Sequence, residues 1–229
     1  FWMLALTGLI LTYFVNTEIQ ETHSPENVFT FKDALAGYAE LLSSKKFLSS
    51  ALTTAFQTAV FFAMMGFIGY SFQRMEISAK EFGVWMATTT VGYILGNLAN
   101  KRLLKHYRID VITSVGAAAS MASLIIMEIW HVNSPSSPIG LAVPMIFVGL
   151  SNGVIIANSI IVASSAVPRL RGSATGLVGA MQMGAGGISG TIAIWLGADQ
   201  NTSVGIITLI VISFFSMMSA WWSTRLQRI

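Results

Sequence analysis

Apolar residues fall in seven long runs along this chain, separated by short polar connections and one longer one. The runs cover 1–16, 48–72, 82–99, 111–131, 139–167, 173–197 and 203–223. A helix needs about 20 mostly apolar residues to cross the hydrocarbon core of a bilayer. Six of the runs are close to that length or longer. Each predicts a transmembrane helix, because within lipid a helix satisfies all of its own backbone polar groups. The first run is shorter. It opens as Phe1-Trp2-Met3-Leu4, already apolar and without the basic segment that begins a signal peptide, so a truncated transmembrane helix is expected over 1–16. Nothing else in the chain is large enough to form a soluble domain. The expected fold class is an all-α polytopic membrane protein.

The one long connection covers 17–47. It has acids early (Glu18, Glu21 and Glu26) and Lys45-Lys46 directly before the next run. Within it, Thr30 can cap a short helix that places Phe31, Leu35, Tyr38 and Leu42 on one face. Such an amphipathic helix is expected to lie on the membrane surface or against the end of the bundle. All other connections are short, so consecutive spans must pack as up-and-down neighbours. The expected organisation is a truncated helix over 1–16, a connector over 17–47 and a six-helix bundle over 48–229.

Composition agrees with this pattern. Hydrophobic residues make up 54% of the chain and charged residues 10%, with a mean hydropathy of +0.67, far from a soluble domain. The net charge of +3 raises the question of nucleic acid, but the basic residues are dispersed along membrane margins and form no continuous face. Of the 13 Lys and Arg, Arg74 and Lys80 alone fall on the connections 73–81, 132–138 and 198–202. The rest fall on 17–46, 100–110, 168–172 and 224–229. By the positive-inside rule this asymmetry puts the connector and the C-terminus in the cytoplasm. The chain has no cysteine, which excludes disulfides and thiolate metal sites.

Motifs of soluble enzymes are absent: there is no phosphate-binding Gly-Lys-Ser/Thr loop, no nucleophile elbow and no metal-ligand spacing. The chain is therefore not expected to be an enzyme or to hold a cofactor. His23, His106 and His131 stand in loops or at a span end. Polar side chains inside the spans are the functional candidates, because in lipid they are costly and tend to face a cavity or the bundle interior. Thr54, Gln57, Thr58, Phe61 and Met65 fall on one stripe of the second run. The third offers Thr89, Tyr93 and Asn97. In the fifth, Asn152 and Ser159 share one line and Ser151, Asn158 and Ser165 another. In the sixth, Thr175, Gln182 and Ser189 recur every seven residues. Each has two readings, a hydrogen bond that holds helices together or a place on a substrate pathway. For Gln57, Asn152, Asn158 and Gln182 the two stand level. Gly172, Gly179 and Gly186, also seven apart, predict a face for close helix packing. Glu128 is the only acid within a span, one turn from its outer end, and is expected to reach headgroup water. Asp110 begins its helix, where a carboxylate favours the positive end of the dipole.

Between the third and fourth spans, Gly96-Asn97-Leu98-Ala99-Asn100-Lys101-Arg102 is similar to the Gly-x-x-x-Asp-Arg loop of the major facilitator superfamily, with Asn100 where the acid is expected. With the long connector ahead of six tightly linked spans, the chain resembles the C-terminal half of a twelve-helix transporter of that superfamily, preceded by its sixth helix. A narrower resemblance, to the Bcr/CflA branch of drug:proton antiporters, rests on 143–150 (Val-Pro-Met-Ile-Phe-Val-Gly-Leu) with Asn158. It rests also on 171–182 (Arg-Gly-Ser-Ala-Thr-Gly-Leu-Val-Gly-Ala-Met-Gln) and on Gln73 with Glu81-Phe82-Gly83. Gly69 and Ala157 depart from it, standing where that branch would carry prolines.

The resemblance implies a bacterial inner-membrane protein exporting small apolar molecules or drugs, driven by the proton gradient. Its partners would be membrane lipid, a small-molecule substrate and the other half of the same transporter. Its pathway would be lined by Gln57, Phe61, Met65, Tyr93, Asn152, Asn158 and Gln182, with Gly96, Asn100, Lys101 and Arg102 as a gating loop. Two alternatives stay open: a solute importer or symporter of the same superfamily, and a non-transporting membrane sensor or scaffold. No acid lies at the midplane of these spans, so a coupling carboxylate is expected in the other half.

Overall fold

The structure, a computed structural model, describes residues 1–18 and 31–226. The capping residue proposed for the connector, Thr30, lies outside them, as does His23. All regular structure among the described residues is helical: α1 (Trp2–Glu18), α2 (Phe31–Ser43), α3 (Lys45–Arg74), α4 (Ala79–Leu103), α5 (Ile109–Asn133), α6 (Pro138–Ser164), a 3-10 turn (Pro168–Leu170), α7 (Arg171–Trp195) and α8 (Thr202–Leu226). They divide into two compact units, 1–36 and 37–229. The first holds α1 and the start of α2. The second holds the rest of α2 and the bundle α3–α8.

Each of the seven apolar runs is a helix. Five of the helices, α3, α5, α6, α7 (with its preceding turn) and α8, are both long and apolar enough to cross a membrane. α4 is as long, at 25 residues, but Thr88-Thr89-Thr90, Asn97 and Asn100 make it less apolar. Local chemistry sets the helix ends. Ser44 caps α3, its hydroxyl accepting from the Phe47 amide. Ser78 and Glu81 form a reciprocal capping box on α4. Ser137 caps α6 and Pro138 begins it. α7 ends in a Schellman motif: the Gly197 amide donates to the Ile194 carbonyl and that of Ala198 to Ala193. Gly197 has φ +92°, a conformation that favours a residue without Cβ.

In the bundle, α3 packs against α6, α7 and α8, α4 against α6, and α5 against α6 and α8. The interior changes character along its length. Towards the end of α3 that carries Arg74, Val60, Met64, Phe67, Leu124, Met127, Leu141, Met145 and Leu209 form an apolar core. Towards the end that carries Lys101 and Arg102, buried Ser, Thr, Asn and Gln are interspersed with smaller apolar clusters around Leu41 and Phe47 and around Ile155. Outward faces carry exposed Val91, Ile94, Leu98, Ile126, Ile161 and Ile207. A hydroxyl-rich interior with an apolar exterior is the distribution expected of helices in lipid, where hydrogen bonds and close packing replace the hydrophobic drive between helices.

The part of α2 within the second unit packs differently from the expectation. Tyr38 and Leu42, on the expected apolar stripe, are exposed, as is Leu35 in the first unit. It is Leu41 that is buried, in a cluster with Phe47, Ala163, Leu170 and Ala174, and Glu40 pairs with Arg169. Gly37 brings the α2 backbone close to Leu170. The docking face is the one next to the predicted stripe, chosen by a small residue and an ion pair that apolar periodicity does not register.

Candidate functional site

α3 places Ser49, Ser50, Thr53, Thr54, Gln57 and Thr58 in the interior, all buried. Their hydroxyls and amide bridge to neighbouring helices: Ser50 to Ser223 at 3.2 Å, and the Thr53 carbonyl accepts from Ser216 at 3.0 Å. Gln57 is fully buried and joins three helices. Its Nε2 donates to Ser120 Oγ on α5 at 2.8 Å and to Asn152 Oδ1 on α6 at 2.6 Å. Its Oε1 is buried without a partner.

Beside Asn152, where the apolar and hydroxyl-rich halves of the interior meet, lies a cavity of about 260 Å³. Its walls come from α3 (Thr58, Phe61), α4 (Thr89, Thr90, Tyr93) and α6 (Gly149, Asn152, Ile156). No charged side chain lines it. The Thr89 hydroxyl, like Gln57 Oε1, is buried without a partner. An unpaired buried polar atom costs roughly 1–3 kcal/mol, so the Thr89 hydroxyl, on the wall, favours a ligand that offers a complementary group.

Three of the predicted pathway residues, Phe61, Tyr93 and Asn152, therefore share this cavity, with Gln57 immediately behind Asn152. Gln182, on α7, donates to Thr54 Oγ1 at 3.1 Å and to the cavity residue Thr58 at 2.9 Å. Met65 packs against the apolar core. Asn158 stands apart from these: fully buried, it is not among the residues of the cavity wall. It pairs with Asn100 of the predicted gating loop, two helical turns nearer the basic end. Lys101 and Arg102 are exposed and line a separate surface cleft with Leu95, Leu98, Ala99 and Lys105. Thr90, Gly149 and Ile156 are the wall residues that the sequence reading missed.

Within this bundle the three glycines of α7 differ. A Cβ at Gly172 or Gly179 would meet nothing within 4 Å, so neither makes a close helix contact in this bundle. Only Gly186 of the three does, against the Phe62 ring. The tight contact lies between α4 and α6. Cβ atoms at Gly92 and Gly96 would sit 2.3 and 2.1 Å from the carbonyl oxygens of Ile146 and Leu150, and those at Gly149 and Gly153 2.3 Å from the carbonyl oxygens of Thr89 and Tyr93. Gly92–Gly96 and Gly149–Gly153 are both G-x-x-x-G, the spacing that lets two helix backbones touch. That paired signal could have been read.

Glu128 is half-buried, with its Oε2 buried and unpartnered. Asp110 stands in the first turn of α5, nearly fully buried and paired with Arg108 at 3.0 Å.

Comparison with known proteins agrees with this architecture. No curated relative matches the chain. The family model of the Major Facilitator Superfamily matches residues 1–191, which include the α4–α6 contact and every residue of the cavity wall. Polar residues facing inward around an uncharged cavity, on helices of membrane-spanning length, are what a solute pathway through lipid requires. The chain belongs to the Major Facilitator Superfamily of transporters.

Proposed function

We propose that the protein is a secondary transporter that exports small, largely apolar molecules in exchange for protons, and that this chain is the C-terminal half of its twelve-helix fold. The cavity beside Asn152 carries this reading. It is lined by aromatic and aliphatic groups with a few neutral polar atoms, two of them unpartnered at or just behind the wall. A site of that kind accommodates a neutral apolar molecule and rewards one hydrogen-bond donor on it. In folds built from two such bundles the substrate binds between them near the midplane, and one bundle rocks against the other. Export and proton coupling are supported by the resemblance of the 171–182 run to drug:proton antiporters. The same resemblance supports a bacterial inner-membrane location, and the distribution of Lys and Arg supports a cytoplasmic C-terminus.

No acid lines the cavity, so the coupling carboxylate belongs to the other half, and Gln57, Asn152 and Gln182 serve as neutral contacts. The test is proton-driven efflux of a neutral fluorescent aromatic compound from proteoliposomes carrying the full-length protein. Efflux that follows an imposed pH gradient, and persists with an unchanged pH profile in Glu128→Gln, is the expected result. Uptake in the direction of the proton gradient would make the protein a symporter. Loss of all proton dependence in Glu128→Gln, with substrate still bound, would place coupling in this half.

A further inference from the structure

A second polar cavity, of about 300 Å³, lies at the end of the bundle opposite Lys101 and Arg102. Ser71 and Arg74 of α3, His131 of α5, and Gln200, Asn201 and Thr202 around the start of α8 line it. Arg74 is solvent-exposed and its guanidinium is already oriented. It donates to the Asp199 backbone carbonyl, to Thr202 Oγ1 at 2.7 Å and to Ser71 Oγ at 3.3 Å, and Thr202 is in turn bonded to Ser71 at 2.9 Å. All these acceptors are neutral. The two ion pairs found among the described residues lie elsewhere, at Arg108–Asp110 and Arg169–Glu40, so the Arg74 charge is held in place without a carboxylate. Across the cavity, His131 Nδ1 is buried and unpartnered.

We infer that this cavity is a binding site for a small monoanion, a carboxylate or the phosphodiester of a lipid headgroup, held by Arg74 and His131. A fixed guanidinium offers an anion its full charge and the N–H groups that its existing bonds leave free, and an imidazole nitrogen that carries the proton can donate a second hydrogen bond. Glu128 limits the charge accepted. It stands one turn before His131 on α5, with Oε2 buried and unpartnered, and opposes a second negative charge on the ligand. The charged and titratable groups around the site are Arg74 from α3, Glu128 and His131 from α5, and Asp199 from the α7–α8 connection, whose backbone carbonyl accepts from Arg74. Of the charged side chains on the α3–α4 connection and the start of α4, Glu81 is committed to its cap, and Glu76 and Lys80 are exposed. The site is separate from the cavity at Asn152 and stands whatever that cavity transports.

The experiment is calorimetric titration of the full-length protein, in nanodiscs of neutral lipid, with benzoate, its neutral counterpart benzamide, and inorganic phosphate. Benzoate is expected to bind more tightly than either of the others. Arg74→Gln should weaken it at least tenfold and Arg74→Lys less, while Asn152→Ala leaves it unchanged. His131→Phe should also weaken it, by up to about tenfold for one lost hydrogen bond, which covers the case where Arg74→Gln fails to fold. Anionic-lipid nanodiscs that abolish benzoate binding would keep the site and assign it to the headgroup. Equal binding of benzoate and benzamide, or undiminished binding in folded Arg74→Gln or in His131→Phe, would each overturn the inference.

Discussion

Asn100 and Asn158 clasp each other across α4 and α6, each amide donating to the other's carbonyl oxygen, at 2.8 and 3.0 Å. Asn100 lies in the last turns of α4, at the position where the resemblance to the superfamily pattern leads one to expect an acid. Here a neutral amide meets a matching amide, and both are buried. Removing either side leaves the other unpaired in the interior. Asn100→Ala and Asn158→Ala should each lower stability by about 1–3 kcal/mol, and the double variant should cost less than the sum. Thermal unfolding of the full-length protein in detergent measures this, and strict additivity would show that the two amides do not act as a pair.

The α4–α6 contact leaves no room for side chains at four glycines. Gly96→Ala or Gly149→Ala should destabilise by about 1–3 kcal/mol or more, the usual cost of overpacking, because the obstructing atoms are backbone carbonyls. Gly179→Leu, on an open face of α7, should leave the melting temperature of the isolated half unchanged. A similar loss at all three positions would remove the special status of the α4–α6 contact.

Gln57 connects the cavity wall to α5. Gln57→Leu removes both donor bonds and strands Asn152 Oδ1 and Ser120, so transport should fall through a higher KM with some loss of stability. Asn152→Ala enlarges the cavity and should broaden the range of substrates accepted while weakening those that carry a donor, by up to about tenfold for one lost hydrogen bond. Competition binding against a donor-free analogue of the same shape separates the two effects. An equal change for both analogues would mean that Asn152 only shapes the wall.

Orientation follows from charge and is open to a direct test, since this stretch has no native cysteine. Leu104→Cys should be protected from an impermeant thiol reagent in intact cells and Ile77→Cys labelled. The reverse pattern would invert the bundle in the membrane.

Helices were legible because apolar runs of membrane length leave few other structures open to them, and the polar residues inside those runs stood out for the same reason. Their partners were not legible. Gln57 meets Ser120 and Asn152 far away in the chain, and nothing local distinguishes that bond from the one joining Asn158 to Asn100. The heptad of glycines on α7 says only that one face is small, not that another helix covers it. Two G-x-x-x-G runs on different helices carry more information, because each gives the other the close backbone it needs. The wall residues Gly149 and Ile156 look like ordinary packing positions in sequence and gain meaning only from the space beside them. α2 docks through Gly37, Leu41 and Glu40, since a small residue and an ion pair outweighed the wider apolar stripe.

Because carbonyl oxygens of α4 and α6 occupy the places where each other's Cβ atoms would be, these two helices are keyed like a rack. A shift along the axis by a fraction of a turn would drive a carbonyl into a neighbouring side chain, so the pair moves as one piece or not at all. The α3–α7 seam is looser: the Phe62 ring lies over Gly186, and where backbones approach, a Cβ at Gly66 or Gly190 would still stand 3.6 Å from the facing backbone. Any opening of the cavity at Asn152 is thereby directed to its α3 wall, while Tyr93, Gly149 and Asn152 ride together as the fixed jaw.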